Sequence, residues 1–246
     1  MTRKVSRMLQ AVSCTFWCLP VGCVQAKAEY RNRKVSKMKK KLSLAAVLLT
    51  AFAVWTVMLR FVDVQAIGPR ESAVGLAAVN GWFHSLTGVH LSLYTITDWL
   101  GLVPVAFGFG FAVLGLVQWI SRRKFLQVDR SILALGGFYI VVTAAYLLFE
   151  KVVINYRPVL IEGNLEVSYP SSTTLLVMCV MPTAVMQLRD RIGNRYVRLI
   201  VSTLFIAFIV FMVIGRLVSG VHWISDIIGG ALLSAGLVML YAAFAK

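Results

Sequence analysis

The sequence predicts an all-α, polytopic membrane protein with six transmembrane helices, and three observations carry that expectation. Of 246 residues, 59% are hydrophobic and only 14% charged, with a mean hydropathy of +0.80; soluble domains run about 45–50% apolar and about 25% charged. The apolar residues gather into six runs of roughly spanning length, each bounded by charge. The basic residues, which set a net charge of +15, fall mostly into alternate segments between those runs. Such hydropathy excludes both an ordinary soluble domain and a disordered chain.

The runs cover 42–59, 99–120, 131–149, 171–188, 199–214 and 224–245. The second is rich in glycine and the fourth contains Pro182, which membrane helices tolerate because neighbouring groups satisfy the freed backbone. The segment 62–98 is long and mixed in polarity, and a short interfacial helix is expected over 74–86. No internal repeat or low-complexity tract appears.

Orientation follows from Lys and Arg. Eleven precede the first run, four lie between runs two and three, four between runs four and five, and Lys246 ends the chain. These segments share one side if the runs alternate, and the basic side is cytoplasmic. That side holds 20 of the 25 basic residues, so both termini are expected inside a plasma membrane. The charge is thus a topology signal, and a nucleic-acid role is not expected. The outer side holds Arg60, Arg70, Lys151, Arg157 and Arg216, with seven of the ten acids.

Residues 1–28 have a basic start, a modest apolar stretch and Ala26-Lys27-Ala28, superficially like a signal-peptide cleavage site. Cleavage there would export the basic cluster at 31–41, against the inside-positive rule. Residues 1–37 are therefore read as a basic extension, expected to be disordered and either natural or an artefact of the chosen start, ahead of a membrane domain over 38–246. The cysteines Cys14, Cys18, Cys23 and Cys179 show no C-x-x-C pair and no zinc-like spacing. Neither a metal nor another cofactor is expected.

Three polar groups lie at the outer ends of the runs. The first runs from Lys151 to Arg157 and Pro158; the second is Pro170-Ser171-Ser172-Thr173; the third holds Arg216, Gly220, His222 and Asp226. His222 and Asp226, four apart, share a helix face, where a carboxylate holds one imidazole nitrogen and leaves the other as nucleophile or base. Alone, that spacing more often marks a helix-start histidine near an interfacial acid; Arg216 on the same side tips the reading toward chemistry. The second group reads as a helix N-terminus, suited either to phosphate binding or to simple capping. Lys151 and Arg157 are either interface anchors or phosphate ligands. Together the groups supply the inventory for phosphoryl transfer from a lipid headgroup.

These residues resemble the type 2 phosphatidic acid phosphatase (PAP2) superfamily, whose signature is K-x6-R-P, then P-S-G-H, then S-R-x5-H-x3-D. Arg216, His222 and Asp226 match the third motif, with Gly215 in place of its serine; Lys151 stands one residue closer to Arg157 than in the first. The resemblance implies that His222 attacks phosphorus and becomes a phosphohistidine. It implies that Asp226 orients the ring, and that Lys151, Arg157, Ser171, Ser172 and Arg216 hold the phosphate, without metal. In the family, the histidine of P-S-G-H protonates the leaving group; here that position is Thr173. Threonine is no acid near neutral pH, and the lost assistance is typically worth about 10²–10⁴-fold. A polyprenyl diphosphate such as undecaprenyl diphosphate, whose leaving group is already a stable anion, should suffer less than a glycerolipid monoester. His84 or His90 from the first outer segment is a candidate substitute acid. Two other readings stay open: a catalytically silent relative that binds lipid phosphate, and a lipid phosphotransferase. Membrane lipids and the lipid substrate are the expected partners; the oligomeric state is not legible.

Overall fold

The computed structural model describes residues 20–245. Helix α1 spans Pro20–Phe61, α2 Ala77–Thr87, α3 Leu91–Leu100, α4 Leu102–Arg122, α5 Arg130–Lys151, α6 Ser172–Arg191, α7 Arg195–Val218 and α8 Ile224–Phe244. No strand is assigned among the described residues, so the chain is all-α, as its hydropathy pattern predicts. Among the described residues, five stretches are long and apolar enough to cross a membrane: Ala28–Phe61, Leu91–Arg122, Arg130–Lys151, Arg195–Val218 and Ile224–Phe244. Large apolar side chains such as Phe109, Ile140 and Leu204 point outward while Asn80, Asn155, Arg216 and Asp226 are buried. That distribution suits a hydrocarbon surround, and the chain is a multi-pass membrane protein.

Helix α6, the fourth expected span, is long enough at 20 residues but less apolar than the others. Its position explains the difference. It packs against α4, α5, α7 and α8, and Thr173, Thr174, Thr183 and Gln187 are buried within the bundle. Gln187 donates to the Ser131 carbonyl at 3.0 Å and lies 2.7 Å from the Tyr241 hydroxyl. A helix enclosed by other helices can carry polar groups when each finds a partner.

Helix α1 runs unbroken from Pro20, 42 residues in all. Residues 20–37 of the extension expected to be disordered are therefore helical, and no break marks residue 37; residues 1–19 lie outside the described residues. The stretch from Ala26 to Leu42 is dominated by Lys and Arg and lacks Gly and Pro, so its propensity continues the spanning helix. A charge boundary is not a helix boundary.

The first outer segment folds over one end of the bundle. Gly220 adopts a left-handed φ of +68°, and a Cβ there would stand 1.9 Å from the Gly88 carbonyl oxygen. This close approach lets His90 N–H donate to the Ser219 carbonyl at 2.9 Å. Asn80 on α2 then bonds both the backbone N–H and the hydroxyl of Ser225 at the start of α8. The expected interfacial helix at 74–86 thus corresponds to α2, held down by buried hydrogen bonds.

Candidate active site

The site forms where the loop after α5, the start of α6, the end of α7 and the start of α8 meet. The loop doubles back on itself: Arg157 N–H donates to the Glu166 carbonyl and Ser168 N–H to the Asn155 carbonyl, both at 3.0 Å. This fold fixes Arg157, whose side chain is 11% exposed. The α7–α8 turn carries His222, and α8 starts just after it, putting Asp226 one turn along.

Asp226 is fully buried. Its Oδ2 accepts from Trp223 N–H at 3.0 Å and its Oδ1 from Asn155 Nδ2 at 3.3 Å. The second bond ties the carboxylate to the Arg157 loop, and Asn155 in turn accepts from Gly75 N–H at 3.2 Å. His222 Nδ1 lies 3.8 Å from Asp226 Oδ2. That is beyond hydrogen-bond reach, as is common in unliganded sites, but it turns Nδ1 toward the acid and leaves Nε2 as the free nitrogen. Burial pushes the imidazole down to about 4, with Arg157 and Arg216 adding to the effect and Asp226 opposing it.

A neutral imidazole can act as a nucleophile and a protonated one cannot, so protonation of His222 is expected to end activity. The acid limb of kcat/KM is therefore expected near pH 4, with activity retained as pH falls from 6.5, the ordinary histidine value, toward about 4. A pH profile whose acid limb lies near 6.5 would contradict this electrostatic picture.

Arg216 is 2% exposed and bonded at one nitrogen only: Nη2 donates at 2.6 Å both to Asp98 Oδ1 and to Thr173 Oγ1. Its guanidinium also lies 4.8 Å from the centre of the Tyr94 ring, and that of Arg157 lies 5.7 Å from the same ring. Tyr94 and Asp98 both come from α3 and bring the two cations against one surface. Arg157 Nε is 3.0 Å from Glu166 Oε2, but without hydrogen-bond alignment.

Seven buried side-chain polar atoms lack a hydrogen-bond partner among the described residues. Six belong to this site: Nε and Nη1 of Arg157, Nε and Nη1 of Arg216, and both ring nitrogens of His222. Buried polar groups are normally satisfied, and four unpaired guanidinium donors beside an unpaired imidazole fit an oxyanion.

A cavity of about 450 Å³ is lined by Arg157, His222, Ser172, Glu150, Glu166 and Tyr146 among others. A second, of about 330 Å³, shares Tyr146, Ser172 and Leu175 and adds Asp98, Val142, Thr173 and Leu176. Of the residues singled out by sequence, Arg157, Ser172 and His222 face one space. Asp226 stands behind His222, and Arg216 joins through Tyr94 and Thr173. Ser171 is the N-cap of α6: its Oγ accepts from the Thr174 hydroxyl at 3.1 Å and from Thr174 N–H at 3.5 Å. Lys151 sits exposed at the end of α5 and lines neither cavity. His84 contacts the Gly220 carbonyl and the Trp223 ring, and His90 the Thr87 carbonyl; neither lines these cavities. Tyr94, Asn155 and Glu166 gave no motif signal. Asp98, an acid opening an apolar run, carried one.

No curated protein matches the chain. The fold is similar to the crystal structure of a transmembrane PAP2 type phosphatidylglycerolphosphate phosphatase from Bacillus subtilis. That likeness has 18% identity and a TM-score of 0.49, covering 81% of this chain and 94% of that one. Residues 137–246, which hold Arg157, Thr173, Arg216, His222 and Asp226, match the family model of the PAP2 superfamily.

Proposed function

We propose that the protein is a membrane-embedded lipid phosphatase that works through a phosphohistidine on His222. The observation that carries this reading is the set of buried, unpaired guanidinium donors of Arg157 and Arg216 beside an unpaired imidazole. His222 Nε2 attacks phosphorus, the bond to the leaving oxygen breaks, and the leaving group departs with the electron pair. Asp226 stabilises the positive charge that forms on the ring. Arg157, Arg216 and the N–H groups opening α6 at Ser172 take up charge on the equatorial oxygens. Water then releases inorganic phosphate. Lys151, exposed at the end of α5, adds positive potential that draws anionic headgroups inward.

The side assignment rests on the 20 basic residues gathered on one face: both termini lie in the cytoplasm and the site opens to the outside of a plasma membrane. Thr173 leaves the leaving group without a proton donor and is itself held by Arg216. That favours a polyprenyl diphosphate over a glycerolipid monoester. Purified protein in detergent is expected to release phosphate from farnesyl diphosphate with a kcat/KM about 10²-fold above that for phosphatidic acid. Release from neither lipid contradicts the enzyme and supports a silent lipid-binding relative. Phosphate passed mainly to an added alcohol instead of water supports a phosphotransferase.

A further inference from the structure

Thr173 leaves a second gap, in the other half of the reaction. Water that attacks a phosphohistidine must lose a proton, and His222 cannot take it while its Nε2 holds the phosphoryl group. Asp226 lies on the far side of the ring with both oxygens engaged and no exposure. The cavity at His222 is lined by two carboxylates, Glu150 and Glu166, and by two phenols, Tyr146 and Tyr169; a phenol is protonated near neutral pH and is a poor base. The Tyr169 hydroxyl is bonded to Thr56 Oγ1 at 2.7 Å, and burial pushes its pKa up, so it is no base. Glu150 ends α5 on the exposed side.

Glu166 differs from both. Its backbone carbonyl accepts from Arg157 N–H, and its Oε2 stands 3.0 Å from Arg157 Nε. It is thus fixed beside a guanidinium that has a further unpaired donor, Nη1, to offer a phosphate. Yet its side chain is 41% exposed, against 11% for Arg157, so it meets bulk water at the cavity it shares with His222.

We infer that Glu166 is the general base of dephosphorylation, taking a proton from the water that attacks the phosphohistidine; this rests on the phosphohistidine reading above. The water oxygen forms the new P–O bond, the P–N bond breaks with its electron pair returning to Nε2, and the proton goes to the Glu166 carboxylate, which passes it to solvent. The first half-reaction does not need Glu166, because a diphosphate expels a phosphomonoester already stable as an anion. A division of labour results: His222 breaks the diphosphate, and Glu166 clears the enzyme.

The test is a rapid-quench experiment on the full-length protein in detergent with farnesyl diphosphate radiolabelled in its terminal phosphate. Glu166→Gln, Glu166→Asp and Glu150→Gln are compared with the parent. In Glu166→Gln a burst of farnesyl phosphate matching the active sites is expected, followed by turnover slowed about 10²-fold or more, with acid-labile label accumulating on the protein. Glu166→Asp should recover part of the rate, and Glu150→Gln should behave as the parent. The burst itself counts folded sites. A labelled fraction no higher than in the parent, a burst slowed as much as turnover, or the same behaviour in Glu150→Gln overturns the assignment. Failure of the underlying reading looks different: no label in any variant, with activity surviving in His222→Ala.

Discussion

His222→Ala is expected to remove phosphate release, with kcat falling on the order of 10⁵–10⁶-fold, as when a nucleophile is deleted from a preorganised site. The neighbouring groups cannot substitute. Asp226 is enclosed by Trp223 and Asn155, Ser171 is occupied as a helix cap, and the Thr173 hydroxyl oxygen is taken up by Arg216. Folding should survive. The ring makes no hydrogen bond in the resting site, so its removal orphans no partner, and the loss is limited to packing in a turn that the Asn80–Ser225 and Trp223–Tyr156 bonds still hold. The check is kcat beside a melting curve for each protein. A rate within about 10-fold of the parent in a folded variant would remove His222 from the chemistry.

The second large effect is expected at Arg216. Arg216→Lys should lower kcat/KM by about 10²–10³-fold, the scale seen when one transition-state donor is lost. The geometry explains why so conservative a change should cost so much. Arginine spends Nη2 on Asp98 and Thr173 and still presents Nε and Nη1, whereas a lysine ammonium is a single point and lacks that fork. Stability should change little, because the released Asp98 is 60% exposed and returns to water. Thr173→His bears on the same contact. Family resemblance suggests that this substitution restores an acid, but Thr173 is the acceptor that holds Arg216. The imidazole would displace the guanidinium from its only buried tether, so a fall in activity is expected instead of rescue. Steady-state kinetics on both lipids decide it, and a clear gain in Thr173→His would show that the tether is dispensable.

The fold was legible where hydropathy alone determines it. Every apolar run became a helix, because a backbone in hydrocarbon must satisfy its own hydrogen bonds. Two features escaped. The helix beginning at Pro20 passes through the basic cluster without a break, since propensity and charge are independent. Helix α6 is less apolar than its neighbours because it is enclosed by them. At the site, the residues found by sequence are those spaced along one stretch of chain: Arg157, Ser172, Arg216, His222 and Asp226. Some of those missed arrive from elsewhere. Asp98 reaches Arg216 across 118 residues, and Asn80 reaches Ser225 across 145. Tyr94 in an apolar helix and Glu166 in a polar loop are ordinary residues until the fold sets them beside Arg157. Lys151 shows the converse: motif spacing singled it out, and the structure places it on the exposed end of α5.

One pocket is expected to gather an imidazole and two guanidinium groups around a single phosphoryl group. The most direct measurement is a structure of the protein with orthovanadate, which mimics phosphorus in transfer. Vanadium is expected on His222 Nε2, with its equatorial oxygens hydrogen-bonded to Arg157 and Arg216. Vanadate bound away from His222, or an oxyanion touched by neither arginine, would contradict the account.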